Sequence, residues 1–168
     1  ENHDTLLSFM PPGLYMERIF CFMIPLLKGC SVYISEKEDT FFSDLKEVSP
    51  TLFIAFPKIF TDFRRLAGFK ISLTSLVRQF FWDYFYKAKN EEFRFGEESS
   101  SLKIKLRNFL FEQFFLRALR NRLGLLRCRL ALSSGGELNE EAMYWFHCIG
   151  VPIYEFYGTC ETGGQGFF

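Results

Sequence analysis

The run Leu52-Phe53-Ile54-Ala55-Phe56 is apolar at every position and stops at Pro57. A strand with one wet face would alternate polar and apolar side chains. An unbroken apolar run predicts a strand buried on both faces, as in a parallel sheet covered by helices. Parallel neighbours cannot be joined by tight hairpins, so each pair needs a crossover, usually a helix. The surrounding sequence supplies them. Leu14, Arg18 and Phe22 recur at helical spacing within 14–27, and Gly29 breaks the pattern. Ser31 to Ser35 is a short β run between turn formers and charges. Thr40 is placed to cap a helix over Phe41 to Val48, with Asp44 and Glu47 in its early turns and Pro50 beyond its end. The order αβαβ predicts an α/β fold with crossovers.

From Ile59 to about Lys89 the pattern is helical and aromatic, and the polar stretch 90–101 reads as an exposed loop. Leu102, Leu106, Phe109, Leu110, Phe114, Leu116 and Leu123 then recur at helical steps, predicting a helix over 102–123. Cys128 to Leu132 reads as a strand and Ser133-Ser134-Gly135-Gly136 as a turn. Asn139 caps a further helix that ends near Gly150, with Glu140 and Glu141 in its first turn. Val151 to Phe156 is the last strand and runs into Tyr157-Gly158-Thr159-Cys160-Glu161-Thr162-Gly163-Gly164. The length suits one domain.

Composition removes several classes. With 48% hydrophobic residues and 23 Phe the chain can bury enough surface to offset its conformational entropy, so it is not disordered. A net charge of +0 argues against a dedicated nucleic-acid binder. Five Cys with no CxxC, beside two His, make neither a disulfide framework nor a zinc site, and point to a reducing, cytoplasmic setting. The most apolar stretch, Ile19 to Leu27, is too short to cross a bilayer, which needs about 20 residues. The first residue is Glu1, not Met, and the last residues, Phe167-Phe168, follow a glycine-rich stretch directly. We therefore expect a piece of a larger domain. The Phe excess fits a large core or a site for a greasy ligand, and composition does not choose between them.

In an open α/β sheet, ligands bind at the carboxyl ends of the strands. Two loops fall there on this reading, Ser133 to Glu137 and Tyr157 to Gly164. Gly135 and Gly136 carry no Cβ and let a flat group approach the backbone. Tyr157 offers an aromatic face, Thr159 and Thr162 offer hydroxyls, and Glu161 is an anionic oxygen ligand. A π face beside small residues suits a purine, and hydroxyls plus a carboxylate suit a Mg²⁺-bound nucleotide. Ordinary turns into and out of strands also need glycine. Neither the phosphate-loop spacing Gx4GK[ST] nor a convincing GxGxxG is present.

Tyr157-Gly158-Thr159-Cys160-Glu161-Thr162 resembles the YGxTE motif of the AMP-forming acyl-CoA synthetases, members of the adenylate-forming superfamily. Ser134-Gly135-Gly136-Glu137-Leu138 is similar to that family's adenine-side SGGxxL loop. Leu7-Ser8-Phe9-Met10-Pro11 with Glu17-Arg18 looks like the LSFLP…ER segment of the long-chain fatty acid–CoA ligases. Glu47-Val48-Ser49-Pro50-Thr51 and Phe56-Pro57-Lys58-Ile59-Phe60 look like their VxPT and VPRxY segments. The five matches run in the family's order over essentially the whole chain.

The resemblance implies part of one adenylation domain over residues 1–168, namely a central fragment of the large N-terminal domain. It would have a mainly parallel sheet, flanking helices and a helical, aromatic-rich insertion. It implies a two-step reaction in which ATP and a fatty acid give acyl-AMP and pyrophosphate, and the thiol of CoA then displaces AMP. Tyr157 would stack on adenine, Ser134, Gly135, Gly136 and Glu137 would belong to the adenine loop, and Gly158 and Thr159 would sit at the nucleotide. Glu161 would bind the Mg²⁺ that bridges the ATP phosphates. The helix after Pro57 and the aromatic middle would help wall the acyl tunnel.

Two positions depart from the family pattern. Cys160 stands where the family usually has a Thr whose hydroxyl contacts phosphate, and a thiol is a weaker donor. Leu14 stands where the family often has His. The phosphate loop is expected upstream of Glu1, and the ribose-binding Asp and the C-terminal domain with its catalytic Lys downstream of Phe168, so the isolated chain is expected to be inactive. Two alternatives stay open: a sibling enzyme whose acceptor is a carrier-protein thiol, or a degenerate acyl or nucleotide binder.

Segment 102–129 carries Lys103, Lys105, Arg107, Arg117, Arg120, Arg122, Arg127 and Arg129 among Phe and Leu. It reads either as a peripheral membrane patch that helps capture fatty acid on the cytosolic face or as a solvated helix face. His147, behind Trp145-Phe146, reads as a packed histidine rather than a ligand.

Overall fold

The computed structural model describes residues 4–72, 82–87, 112–158 and 161, with side chains left out at 38, 70–72 and 114. Among the described residues there are five short strands, paired in parallel. β1 (Thr5–Ser8) pairs with β2 (Ser31–Ile34), Thr5 opposite Ser31 and Ser8 opposite Ile34. β3 (Leu52–Ala55) pairs with β4 (Leu130–Ser133), and β4 pairs with β5 (Ile153–Glu155), so that Ala55, Ser133 and Glu155 stand in one row. Thr51 joins the two ladders. Its N–H donates to the Thr5 carbonyl at 3.0 Å, its Oγ1 accepts from the Thr5 N–H at 2.9 Å, and its own carbonyl accepts from the Arg129 N–H at 2.9 Å. Asp4 completes the corner, accepting from Thr51 Oγ1 at 2.9 Å and from Arg129 Nε at 2.9 Å. The Arg129 guanidinium holds the Asp4 carboxyl below its ordinary value. This tie is therefore present at neutral pH and is lost only as pH falls through that lowered value.

Helices cover both faces, as the continuous apolar run of β3 requires. On one face Ile54 and Leu132 pack with Leu6, Met10, Met16 and Phe156 under a single helical stretch. That stretch is α1 (Tyr15–Glu17), a π-helical turn (Arg18–Met23) and α2 (Ile24–Lys28). The register widens, with the Ile24 N–H reaching the Ile19 carbonyl, just before Pro25, which has no N–H to donate. On the other face Phe53, Ala55, Ala131 and Ile153 pack with α3 (Phe41–Val48), α4 (Pro57–Ser72), α5 (82–87), α6 (Arg117–Leu123) and α7 (Glu140–Cys148).

Phenylalanine forms the centre of that larger core. Phe53, Phe60, Phe63, Phe85 and Phe146 are essentially fully buried. The rings of Phe53, Phe60, Phe63 and Phe146 meet edge to face, Phe53 with Phe60 at 5.6 Å and 78°, Phe60 with Phe146 at 5.3 Å and 89°. Each such ring contributes about 1.5–3 kcal/mol by burial, and each pair about 0.5–1.5 kcal/mol more.

The expected α/β fold of mainly parallel strands and flanking helices is therefore present. Asn139 caps α7 as expected, its Oδ1 accepting from the Glu141 N–H at 2.8 Å. Thr40 does not cap α3. Its backbone is already helical (φ −90°, ψ −7°), and its hydroxyl bonds the Lys37 carbonyl at 3.0 Å and Asp44 at 2.9 Å. β1 is a strand that the sequence pattern did not announce. Residues 90–101, and the part of the expected 102–123 helix before 112, lie outside the described residues.

At the end of α6, Gly124 has φ 74°, and a Cβ there would lie 2.6 Å from the Leu45 carbonyl oxygen. Gly124→Ala should destabilise the fold by about 2–4 kcal/mol, combining left-handed strain with a backbone clash. Urea unfolding checks it; a loss under about 1 kcal/mol would mean that α3 and α6 are not held this closely.

Candidate functional site

Because all strands run the same way, their carboxyl ends share one edge, and besides the short turn after β2 four loops leave from it. The first follows Ser8, the second runs from Phe56 into α4, the third is Ser134 to Asn139 and the fourth starts at Phe156. The third and fourth are bound together. The Phe156 N–H donates to the Ser133 carbonyl at 2.8 Å, and Glu155 accepts from the Leu138 N–H at 2.7 Å. Gly135 adopts φ 89° with the Phe56 ring against it, where a Cβ would lie 2.9 Å from that ring. Ser134 is buried, while Gly135, Gly136 and Glu137 are exposed on the outer side of the turn.

Tyr157 is 68% exposed, so its ring is open to a flat ligand. The Gly158 carbonyl accepts a hydrogen bond from the Tyr15 hydroxyl at 2.7 Å, and the same hydroxyl lies 3.4 Å from Ser134 Oγ. The structure thus brings Ser134, Gly135, Gly136, Tyr157 and Gly158 to neighbouring loops of one edge. Thr159 and Cys160 lie outside the described residues, and Glu161 stands exposed in a turn just beyond them. Tyr15 is a site residue that sequence reasoning passed over, since its partners stand far along the chain.

Under the first loop Ser8 donates to a carboxylate oxygen of Glu17; both side chains are buried. Cys21 packs beside them, and burial, reinforced by Glu17, pushes its thiol up to about 12. Glu17 thereby locks the helix to the end of β1. Among the described residues its other oxygen and Ser133 Oγ have no hydrogen-bond partner.

Between the first two loops opens a cleft of about 500 Å³, walled by Phe9, Met10, Phe41, Phe42, Phe56 and Ile59, with Ser35, Lys37 and Asp62 among its polar lining. Phe42 and Asp62 also border a second cleft of about 760 Å³ that continues past Leu66 and Phe69. Nine Phe lie between Phe80 and Phe115. Of these, Phe85 is buried in the core and Phe115 packs against it. The other seven lie outside the residues whose side chains are described, and among the described residues the apolar cleft is walled by Phe9, Phe41, Phe42 and Phe56 with Ile59 from the helix after Pro57.

Among the described residues no group of three or more His, Cys, Asp or Glu could hold a metal ion. An exposed carboxylate such as Glu161 suits Mg²⁺ that arrives already coordinated by phosphate and water. His147 is half-buried against Tyr154, and burial pulls its pKa below the ordinary value. Of the basic stretch, Arg120 bonds the Gly150 carbonyl and Glu112, and Arg129 bonds Asp4. Both serve internal ties, while Lys103, Lys105 and Arg107 lie outside the described residues. No helix among the described residues is long and apolar enough to cross a membrane.

A family described as AMP-binding enzyme matches residues 1–168. The long-chain-fatty-acid–CoA ligase ACSBG2 of Homo sapiens is 26% identical over 172 residues, covering 98% of this chain and 25% of that protein. The putative fatty-acid–CoA ligase fadD11 of Mycobacterium tuberculosis (strain H37Rv) is 26% identical over 161 residues, covering 94% and 28%. The chain thus spans about a quarter of the length of the curated relatives it matches. Among solved structures, the A-PCP didomain of carboxylic acid reductase from Segniliparus rugosus in complex with AMP superposes with a TM-score of 0.54. It is 20% identical and covers 93% of this chain and 18% of that one.

Gly135→Ala should lose about 1–3 kcal/mol and displace the Phe56 ring. Adding Phe56→Leu should relieve the clash and leave the left-handed strain. Equal stability of the single and double variants in thermal unfolding would show that the ring does not press on this turn.

Proposed function

This chain belongs to the AMP-binding enzyme family, and on that premise we propose that it is the central part of one adenylation domain in a larger ATP-dependent, AMP-forming fatty acid–CoA ligase. What supports the reading is one juxtaposition: the Ser134-Gly135-Gly136 turn and the Tyr157-Gly158 loop leave adjacent parallel strands on the same edge, beside an apolar cleft.

In this reading the adenine ring enters between the Gly135-Gly136 backbone and the exposed Tyr157 face, where the absence of a Cβ leaves room for a planar group. The family resemblance assigns Glu137 and Thr159 to the nucleotide and Cys160 to a phosphate contact. Glu161 would hold the Mg²⁺ that accompanies the triphosphate, and when bound that ion would supply charge neutralisation on the phosphate oxygens. The alkyl chain lies in the cleft walled by Phe9, Phe41, Phe42 and Phe56, where flat rings without polar atoms accept methylene groups and exclude water. A fatty acid carboxylate oxygen bonds to the α-phosphorus, the bond from that phosphorus to the bridging oxygen breaks, and pyrophosphate leaves. The CoA sulfur then bonds to the acyl carbon, and AMP leaves with the carboxyl oxygen. The phosphate loop and the C-terminal lysine come from the rest of the parent, so the 168 residues alone are inactive.

A second reading keeps the first step and passes the acyl group to a carrier-protein thiol. The likeness to an A-PCP didomain favours it, since there an adenylation domain of the same fold is solved with its PCP domain.

In the full-length protein, Glu161→Ala should lower fatty-acid-dependent ATP–pyrophosphate exchange at least 100-fold, as expected for removing an electrostatic partner of the reacting phosphates. Cys160→Thr should leave exchange unchanged or raise it. A severe loss in Cys160→Thr would show that this loop does not align with the family motif. Exchange by the isolated chain would refute its dependence on the missing parts.

A further inference from the structure

Tyr15 opens α1, and its hydroxyl reaches two loops more than a hundred residues away in sequence. Its Oη lies 2.7 Å from the Gly158 carbonyl and 3.4 Å from Ser134 Oγ. A phenol has one proton, and a carbonyl can only accept. The proton therefore goes to Gly158, and the lone pairs of Oη receive the Ser134 hydroxyl. Ser134 is 2% exposed, so this contact gives a partner to a hydroxyl cut off from water.

The Tyr15 ring is partly buried against the small core that contains Leu6, Ile54, Leu132 and Phe156. That packing limits where the hydroxyl can go. At its start the loop is anchored by the Phe156 N–H on the Ser133 carbonyl and by the buried Phe156 ring, but the next residue, Tyr157, is 68% exposed. Leu14, one residue earlier, has no polar atom and cannot make this tie.

We propose that Tyr15 is a positioning residue, a latch that holds the Tyr157-Gly158 loop at a fixed distance from the Ser134-Gly135-Gly136 turn. The consequence for nucleotide rests on the reading that adenine enters between these loops. With the latch in place, the two loops are held in position before a flat ligand arrives, which reduces the ordering cost of binding.

Tyr15→Phe in the full-length protein tests this, because it keeps the ring and removes only the hydroxyl. Amide hydrogen exchange in a peptide covering 154–158 should accelerate about three- to tenfold, the range expected for one lost hydrogen bond, while a peptide covering Leu52–Ala55 stays unchanged. KM for ATP should rise by a similar factor, with KM for fatty acid unmoved. Unchanged exchange at 154–158 overturns the latch. Faster exchange with an unchanged KM for ATP overturns its role in nucleotide positioning. Faster exchange in a protein whose unmutated form shows no ATP–pyrophosphate exchange upholds the latch and overturns the ligase reading instead.

Discussion

The geometry of the whole edge depends on Thr51. Two parallel ladders could sit at any mutual offset, but the backbone of Thr51 bonds Thr5 on one side and Arg129 on the other, while its hydroxyl serves the Thr5 N–H and Asp4. With their amino ends tied at this corner and with four-residue strands on both sides, β1, β3 and β4 finish level. The alignment of Ser8, Ala55, Ser133 and Glu155 at the opposite edge follows from it. Thr51 closes a segment that resembles a family motif, and here its chemistry is architectural: a short side chain with one donor and acceptor, placed where two ladders must share backbone partners.

Phenylalanine does two jobs that sequence alone does not separate. Phe53, Phe60, Phe63 and Phe146 interlock edge to face beneath the sheet. Phe9, Phe41, Phe42 and Phe56 stand at its carboxyl end and wall an open cleft. Adjacent residues divide between these tasks: Phe41 is 8% exposed and Phe42 is 46% exposed, because successive positions on a helix point about 100° apart. Phe41 takes part in both, since the cleft floor is the top of the core.

The β3 run, the capping Asn139, the glycine-rich turn and the order of the crossovers were legible because each is local: unbroken apolarity, a cap, a missing Cβ. β1 was not legible. Thr5-Leu6-Leu7-Ser8 is short and polar at both ends, and it becomes a strand through its pairing with Ser31–Ile34. Ser8 tolerates burial because a carboxylate oxygen of Glu17 accepts its hydrogen bond. Thr40 carries a capping side chain, but a preceding 3₁₀ turn had already taken its backbone into the helix. The two glycine-bearing loops could be picked out by composition, whereas Tyr15 could not. Its role is set by Gly158 and Ser134, and no local pattern reports a contact across the fold.

β2 is bonded to β1, and among the described residues no strand lies on its other side. Tyr33 and Ile34 on it are half or more exposed, as are Leu26 and Leu27 on the helix before it. A strand in this condition presents backbone donors and acceptors flanked by greasy side chains, a template on which another strand can crystallise. Among the described residues, β2 is thus the edge that the fold leaves open, and a greasy edge of this kind must be covered or kept apart from other strands if the protein is to stay in solution.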